Sequence, residues 1–180
     1  MESLTAATCI TNAGTMRSAS IEYGSRIREC LAHQSRQLNE LQSAPEVEKL
    51  VTRFHREIAP IVDSLLDSAA ALLREIRLAL RIQDTTQFNR RWWQLALISL
   101  QSERELLERT GACIRAEARR LARQHKAARS LWRRDWQIQC SDLLEHIDDV
   151  SETIALGLNP ETRAELKALS HSLEESPQTP

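Results

Sequence analysis

EVEKLVTRFHREIAPIVDSLLDSAAALLREIRLALRI, residues 46–82, decides the fold. Its apolar side chains recur at intervals of three and four: Val51, Phe54, Ile58, Ile61, Leu65, Ala69, Leu72, Ile76 and Leu80. A helix brings such positions onto one face, whereas a strand needs a period of two. Pro60 lies inside the stripe. Proline removes a backbone donor and disturbs the turn before it, but the stripe keeps its phase on both sides, so the expectation is a kinked helix rather than a broken one. A seam this long has to be covered by other helices.

The flanking sequence supplies them. Upstream, residues 17–43 carry a looser stripe of Ile21, Ile27, Leu31, Leu38 and Leu41, interrupted by Gly24 and ended by Pro45. Residues 1–17, rich in Ser, Thr and Ala, read as a flexible arm. Downstream, Gln83–Gln87 is a polar break in which Thr85 or Thr86 serves as a helix cap. A third helix over 87–125 carries Trp93, Leu97, Leu100, Leu107, Ile114, Ala118 and Leu121, with Arg104 and Gly111 interrupting it. No Pro or Gly then occurs before residue 157. One helix from 87 to 158 would be about 100 Å long, more than a single domain covers, so a turn is placed at Lys126–Arg129. The fourth helix, 130–158, presents Trp132, Trp136, Cys140, Leu143, Ile147, Val150 and Ile154. Gly157 and Asn159-Pro160 stop it, a short helix follows over 160–173, and 174–180 is a disordered tail. Long helices with short links predict an all-α, antiparallel bundle of three to four long helices plus a short C-terminal helix. It forms one domain over 18–173.

Composition agrees. With 42% hydrophobic and 27% charged residues, the 180-residue chain has material for a core, and four glycines leave the helices unbroken. A net charge of -1 argues against nucleic acid as the partner, and no recognition motif for it is present. The four cysteines form no C-x-x-C pair and read as free thiols of a reducing, cytoplasmic setting. No apolar run is long enough to span a membrane, and the first residues lack a secretory-signal pattern.

Three clusters carry candidate chemistry. Asp142, Glu145, Asp149 and Glu152 are spaced three, four and three apart, on one face opposite the apolar stripe of the fourth helix. Carboxylates so placed bind a divalent cation (Mg, Mn, Fe or Zn) when a second helix adds ligands. The plainer reading is a solvated face. Arg115, Arg119, Arg123, Arg129 and Arg133, with Arg120, Lys126 and Arg134 among them, gather at the tip joining the third and fourth helices. They suit an acidic protein partner or anionic lipid, although cations also favour helix C-termini for dipole reasons alone. Trp92 and Trp93 point about 100° apart, so one sits nearer the surface. The chain has no G-x-S-x-G, H-E-x-x-H or phosphate-loop pattern, so no enzyme is expected. A diiron-type bundle enzyme would need Glu-x-x-His on two helices, which is not found.

The stretch from Cys113 to Leu158 resembles the second half of a PhoU-type domain. The matching elements are Leu121-Ala122-Arg123-Gln124, Ala128-Arg129-Ser130-Leu131, Leu144-Glu145-His146-Ile147-Asp148-Asp149 and Ile154-Ala155. The resemblance extends over residues 50–158. It implies a non-enzymatic cytoplasmic regulator of phosphate transport that acts on a protein partner, a transporter or signalling component. It also assigns the family's metal-binding Glu and Asp to Glu145 and Asp149. The chain departs from the pattern at Leu143, His146, Asp148 and Lys126, where the family has Asp, Arg, Gly and Pro. A reading of another class is a helical interaction module of a bacterial secretion or effector system, with the N-terminal arm as export signal. A homodimer is a candidate assembly in either case.

Overall fold

The computed structural model describes residues 5–40, 43–82, 90–124 and 133–158. They form four helices: α1 (Ala6–Glu40), α2 (Ala44–Ile82), α3 (Arg90–Gln124) and α4 (Arg134–Leu158). The all-α bundle is therefore as the periodicity predicts. The Thr85/Thr86 cap, the turn at Lys126–Arg129, the helix over 160–173 and the tail 174–180 lie outside the described residues.

The N-terminal arm needs correction. Residues 6–17 are helical and continue α1. Thr5 caps them: its carbonyl accepts from the Cys9 N–H at 3.1 Å and its hydroxyl from the Thr8 N–H at 3.2 Å. Cys9, Ile10 and Ala13 are buried, so a short apolar stripe inside the Ser/Thr-rich segment is what holds it. Ser43 starts α2 in the same way. Its carbonyl accepts from Val47, and its hydroxyl donates to the Glu46 carboxylate at 2.5 Å.

Pro60 is accommodated within α2 because its ring lies on the exposed side. The buried set of α2 is wider than one stripe. Val47, Leu50, Val62, Leu66 and Leu73 join the predicted positions. The reason is that α2 faces two neighbours, α1 and α4.

Cross-helix contacts fix the arrangement. Asn12 reaches Glu75, Ser68 donates to the Met16 carbonyl, and Arg53 donates to Gln37, so α1 and α2 run antiparallel. Ser35 meets Arg120 while Gly24 faces Leu106, so α1 and α3 run parallel. Arg104 bonds Asp148, and Trp136 bonds Asp63. Among the described residues α1 and α4 make no contact, and α2 and α3 touch only slightly. The order around the bundle is thus α1, α2, α4, α3. Two antiparallel hairpins, α1/α2 and α3/α4, lie against each other through an α1/α3 seam and an α2/α4 junction.

Gly24 marks a close approach across the α1/α3 seam. A Cβ there would stand 2.7 Å from Leu106 Cδ1 and 3.6 Å from Thr110 Oγ1. Gly24→Leu is expected to cost about 1–3 kcal/mol by overpacking, read as a lower urea midpoint. An unchanged midpoint would show that α1 and α3 are not in contact at this level.

Candidate functional site

The outer face of α4 is a regular exposed surface of the bundle. Trp136, Cys140, Ile147, Val150 and Ile154 turn inward. On the opposite side Ile138, Asp142, Glu145, Asp149, Glu152 and Leu156 follow one another at spacings of four, three, four, three and four, and all are exposed. This is the spacing of one continuous helix face. Its ends are apolar: Ile138 keeps 51% and Leu156 49% of its surface in water.

The structure places the four predicted carboxylates side by side in water and brings no ligand to them from a second helix. Among the described residues no three His, Cys, Asp or Glu side chains converge as a metal cage. Asp148, next to the ladder, is bonded by Arg104 at 2.7 Å, and Arg104 also pairs with Glu108 at 3.0 Å. That network ties α4 to α3 and leaves the ladder itself facing outward.

The basic residues divide. Arg119 and Arg123 are exposed on the last turns of α3 and Arg115 is half-buried. Arg129 lies outside the described residues. Arg133 is engaged: it forms an ion pair with Asp135, and its guanidinium lies 5.2 Å from the centre of the Trp136 ring. The Arg133 hydrogen bond holds the Asp135 carboxyl below the usual range. Trp136 is itself fully enclosed. Its indole N–H donates to Asp63 at 2.7 Å, and the His55 ring stacks on it at 5.8 Å. Of the other pair of tryptophans, Trp93 is buried and Trp92 half-buried, as their adjacency requires.

Sequence periodicity missed a second polar feature, inside the core. The α3 stripe runs 93, 96, 100, 103, 107, 110, 114, and so places Glu103 and Thr110 among the leucines. Glu103 is fully buried, and neither carboxylate oxygen makes a hydrogen bond of ordinary geometry, although the Ser20 hydroxyl across the seam lies close enough to act on it. Burial raises its pKa to about 7, against the opposing pull of the Ser20 hydroxyl and the Arg17 guanidinium across the seam.

Other candidate chemistry is modest. A cleft of about 240 Å³ between α1 and α2 is smaller than typical small-molecule sites. Its Arg53 is already used by Gln37 and Glu57. Cys9, Cys30 and Cys140 are free thiols whose pKa values burial pushes upward, which keeps them protonated and poorly nucleophilic. Among the described residues no helix is long and apolar enough to cross a membrane.

No known protein family, curated protein or solved structure matches the chain.

Proposed function

We propose that this chain is a non-enzymatic helical adaptor that regulates by binding a protein partner along the outer face of α4. The observation that carries this reading is the exposed stripe from Ile138 to Leu156, acidic in its middle and apolar at both ends. Ile138 and Leu156 are among the most exposed large aliphatic residues and stand in register with the charges. Complementary charge steers encounter and fixes orientation, while buried apolar anchors supply most of the affinity. The partner element that fits is an amphipathic helix with Lys or Arg opposite the ladder and apolar residues at each end. Arg119 and Arg123, exposed on the last turns of α3 at the Ile138 end of the stripe, offer a second contact of opposite sign.

The motifs between residues 121 and 155 extend the reading toward regulators of the PhoU type. On that reading the partner is a cytoplasmic portion of a transporter or signalling component. In that family Glu145 and Asp149 would bind metal; here their exposed, single-helix setting favours a role in partner contact.

The test is photo-crosslinking in cells that express the full chain, with a photoreactive residue at Glu145 or, as a control, at the exposed Arg74 of α2. A single protein captured from position 145 and not from 74 is expected. Its yield should fall roughly tenfold or more on Asp142→Lys with Asp149→Lys, since like charges facing each other cost several kcal/mol. Equal capture from both positions, or capture indifferent to the charge reversal, would sink the reading.

A further inference from the structure

Seven buried side-chain polar atoms of the described residues lack a hydrogen-bond partner: Arg17 Nε, Ser20 Oγ, both amide atoms of Gln34, both carboxylate oxygens of Glu103, and Thr110 Oγ1. Five of them belong to Arg17, Ser20, Glu103 and Thr110, where α1 meets α3. None is on α2 or α4. Each such group has given up water without a full replacement, which destabilises the closed seam. Separation of α1 from α3 returns all five to water. The other contact between the hairpins is of opposite character, with Trp136 enclosed between His55 and Arg133 and bonded to Asp63. The two hairpins are therefore joined by one junction whose polar groups are paired and one seam that, away from the Arg120–Ser35 bond, buries polar groups without full partners.

We propose that the α1/α3 seam is the opening joint of the bundle, held shut while Glu103 keeps its proton and released when that carboxyl ionises. A protonated Glu103 is a neutral, compact side chain that a leucine-lined position tolerates. An ionised one is a buried charge whose solvation the seam does not replace. The charged group facing it from α1 is Arg17. From α4 the nearest carboxylate, Asp148, is bonded to the neighbouring Arg104. No charge from α2 or α4 acts on Glu103 among the described residues. Arg17 opposes the burial effect without overcoming it.

The experiment places a reporter thiol in the seam of the full-length chain by Thr110→Cys. The Thr110 hydroxyl has no partner to lose. Iodoacetamide labelling is followed peptide by peptide at pH 6 and pH 8, with rates expressed per thiolate. Native Cys9, buried where α1 packs near Glu75 of α2, is the internal reference. A carboxyl with a pKa of about 7 when closed and the ordinary 4.5 when open shifts the opening equilibrium about tenfold over this interval. The seam thiol is expected to label faster than Cys9 at both pH values and to speed up by that factor, and Glu103→Gln is expected to abolish the change. Ser20→Cys, on the α1 side of the seam, serves as a second reporter if the first fails to fold. Cys9 and the reporter labelling at the same rate at both pH values would mean that only global unfolding exposes the seam. A constant reporter rate, or an acceleration that survives Glu103→Gln, would equally overturn the proposal.

Discussion

Trp136→Ala is expected to destabilise the folded chain by about 3–5 kcal/mol, the largest effect of any single truncation at the α2/α4 junction. The ring is enclosed, 1% exposed, and stands where α4 meets α2. Its loss removes packing from His55 and the Arg133 guanidinium and frees Asp63 of its indole partner. Trp136→Phe separates these contributions. It keeps an aromatic ring and loses the 2.7 Å hydrogen bond, and because Asp63 is exposed, water takes the vacated place. The cost is then about 1 kcal/mol. In urea unfolding the alanine variant should show a much lower midpoint at unchanged slope. A loss no greater than that of the phenylalanine variant would mean that Trp136 does not join the hairpins.

That junction was only half legible in the sequence. The inward stripe of α4 follows from periodicity, so Trp136 was expected in the core; that Asp63 and His55 would meet it could not be read from spacing on α2. The same limit applies across the molecule. Helix number, the phase of α2 through Pro60 and the exposed ladder of α4 all follow from a repeat of 3.6. Which helices become neighbours depends on the packing of four faces at once. The N-terminal helix was missed because Ser, Thr and Ala dominate residues 1–17, although Thr5 as cap and the Cys9, Ile10, Ala13 spacing were present. Glu103 and Thr110 were missed for a related reason. A stripe counted in steps of seven from Leu100 to Leu107 to Ile114 passes over the intermediate positions, and those are the ones that carry the polar groups.

Glu103 gives the second large effect. Its pKa when folded, about 7, lies above the ordinary 4.5, so the folded chain holds more protons than the unfolded chain between those values. Stability therefore falls as pH rises through that window, by about 3 kcal/mol in all, and is greatest below it. Glu103→Gln keeps the shape of the neutral side chain and removes its titration. The variant is expected to match the parent near pH 4.5 and to exceed it by about 3 kcal/mol above pH 7. Equal slopes of stability against pH for the two chains would locate the pH dependence elsewhere. For a bundle of this size, whose whole stability is on the order of 5–15 kcal/mol, such a change decides whether the α1/α3 seam stays closed.

The proposed partner face and the seam meet in the same hairpin. α3 carries Glu103 on its inner side, and α4 carries the partner stripe on its outer side, with Arg104–Asp148 linking the two helices beside Glu103. Both sides rest on one structural statement: two hairpins lie together with a carboxyl sealed between α1 and α3. Carbon-13 NMR of the Glu103 side-chain carboxyl, assigned by its disappearance in Glu103→Gln and titrated in the full-length chain, tests that statement directly. The account predicts a midpoint of about 7. A midpoint at the ordinary value of 4.5 would place Glu103 in water and contradict it.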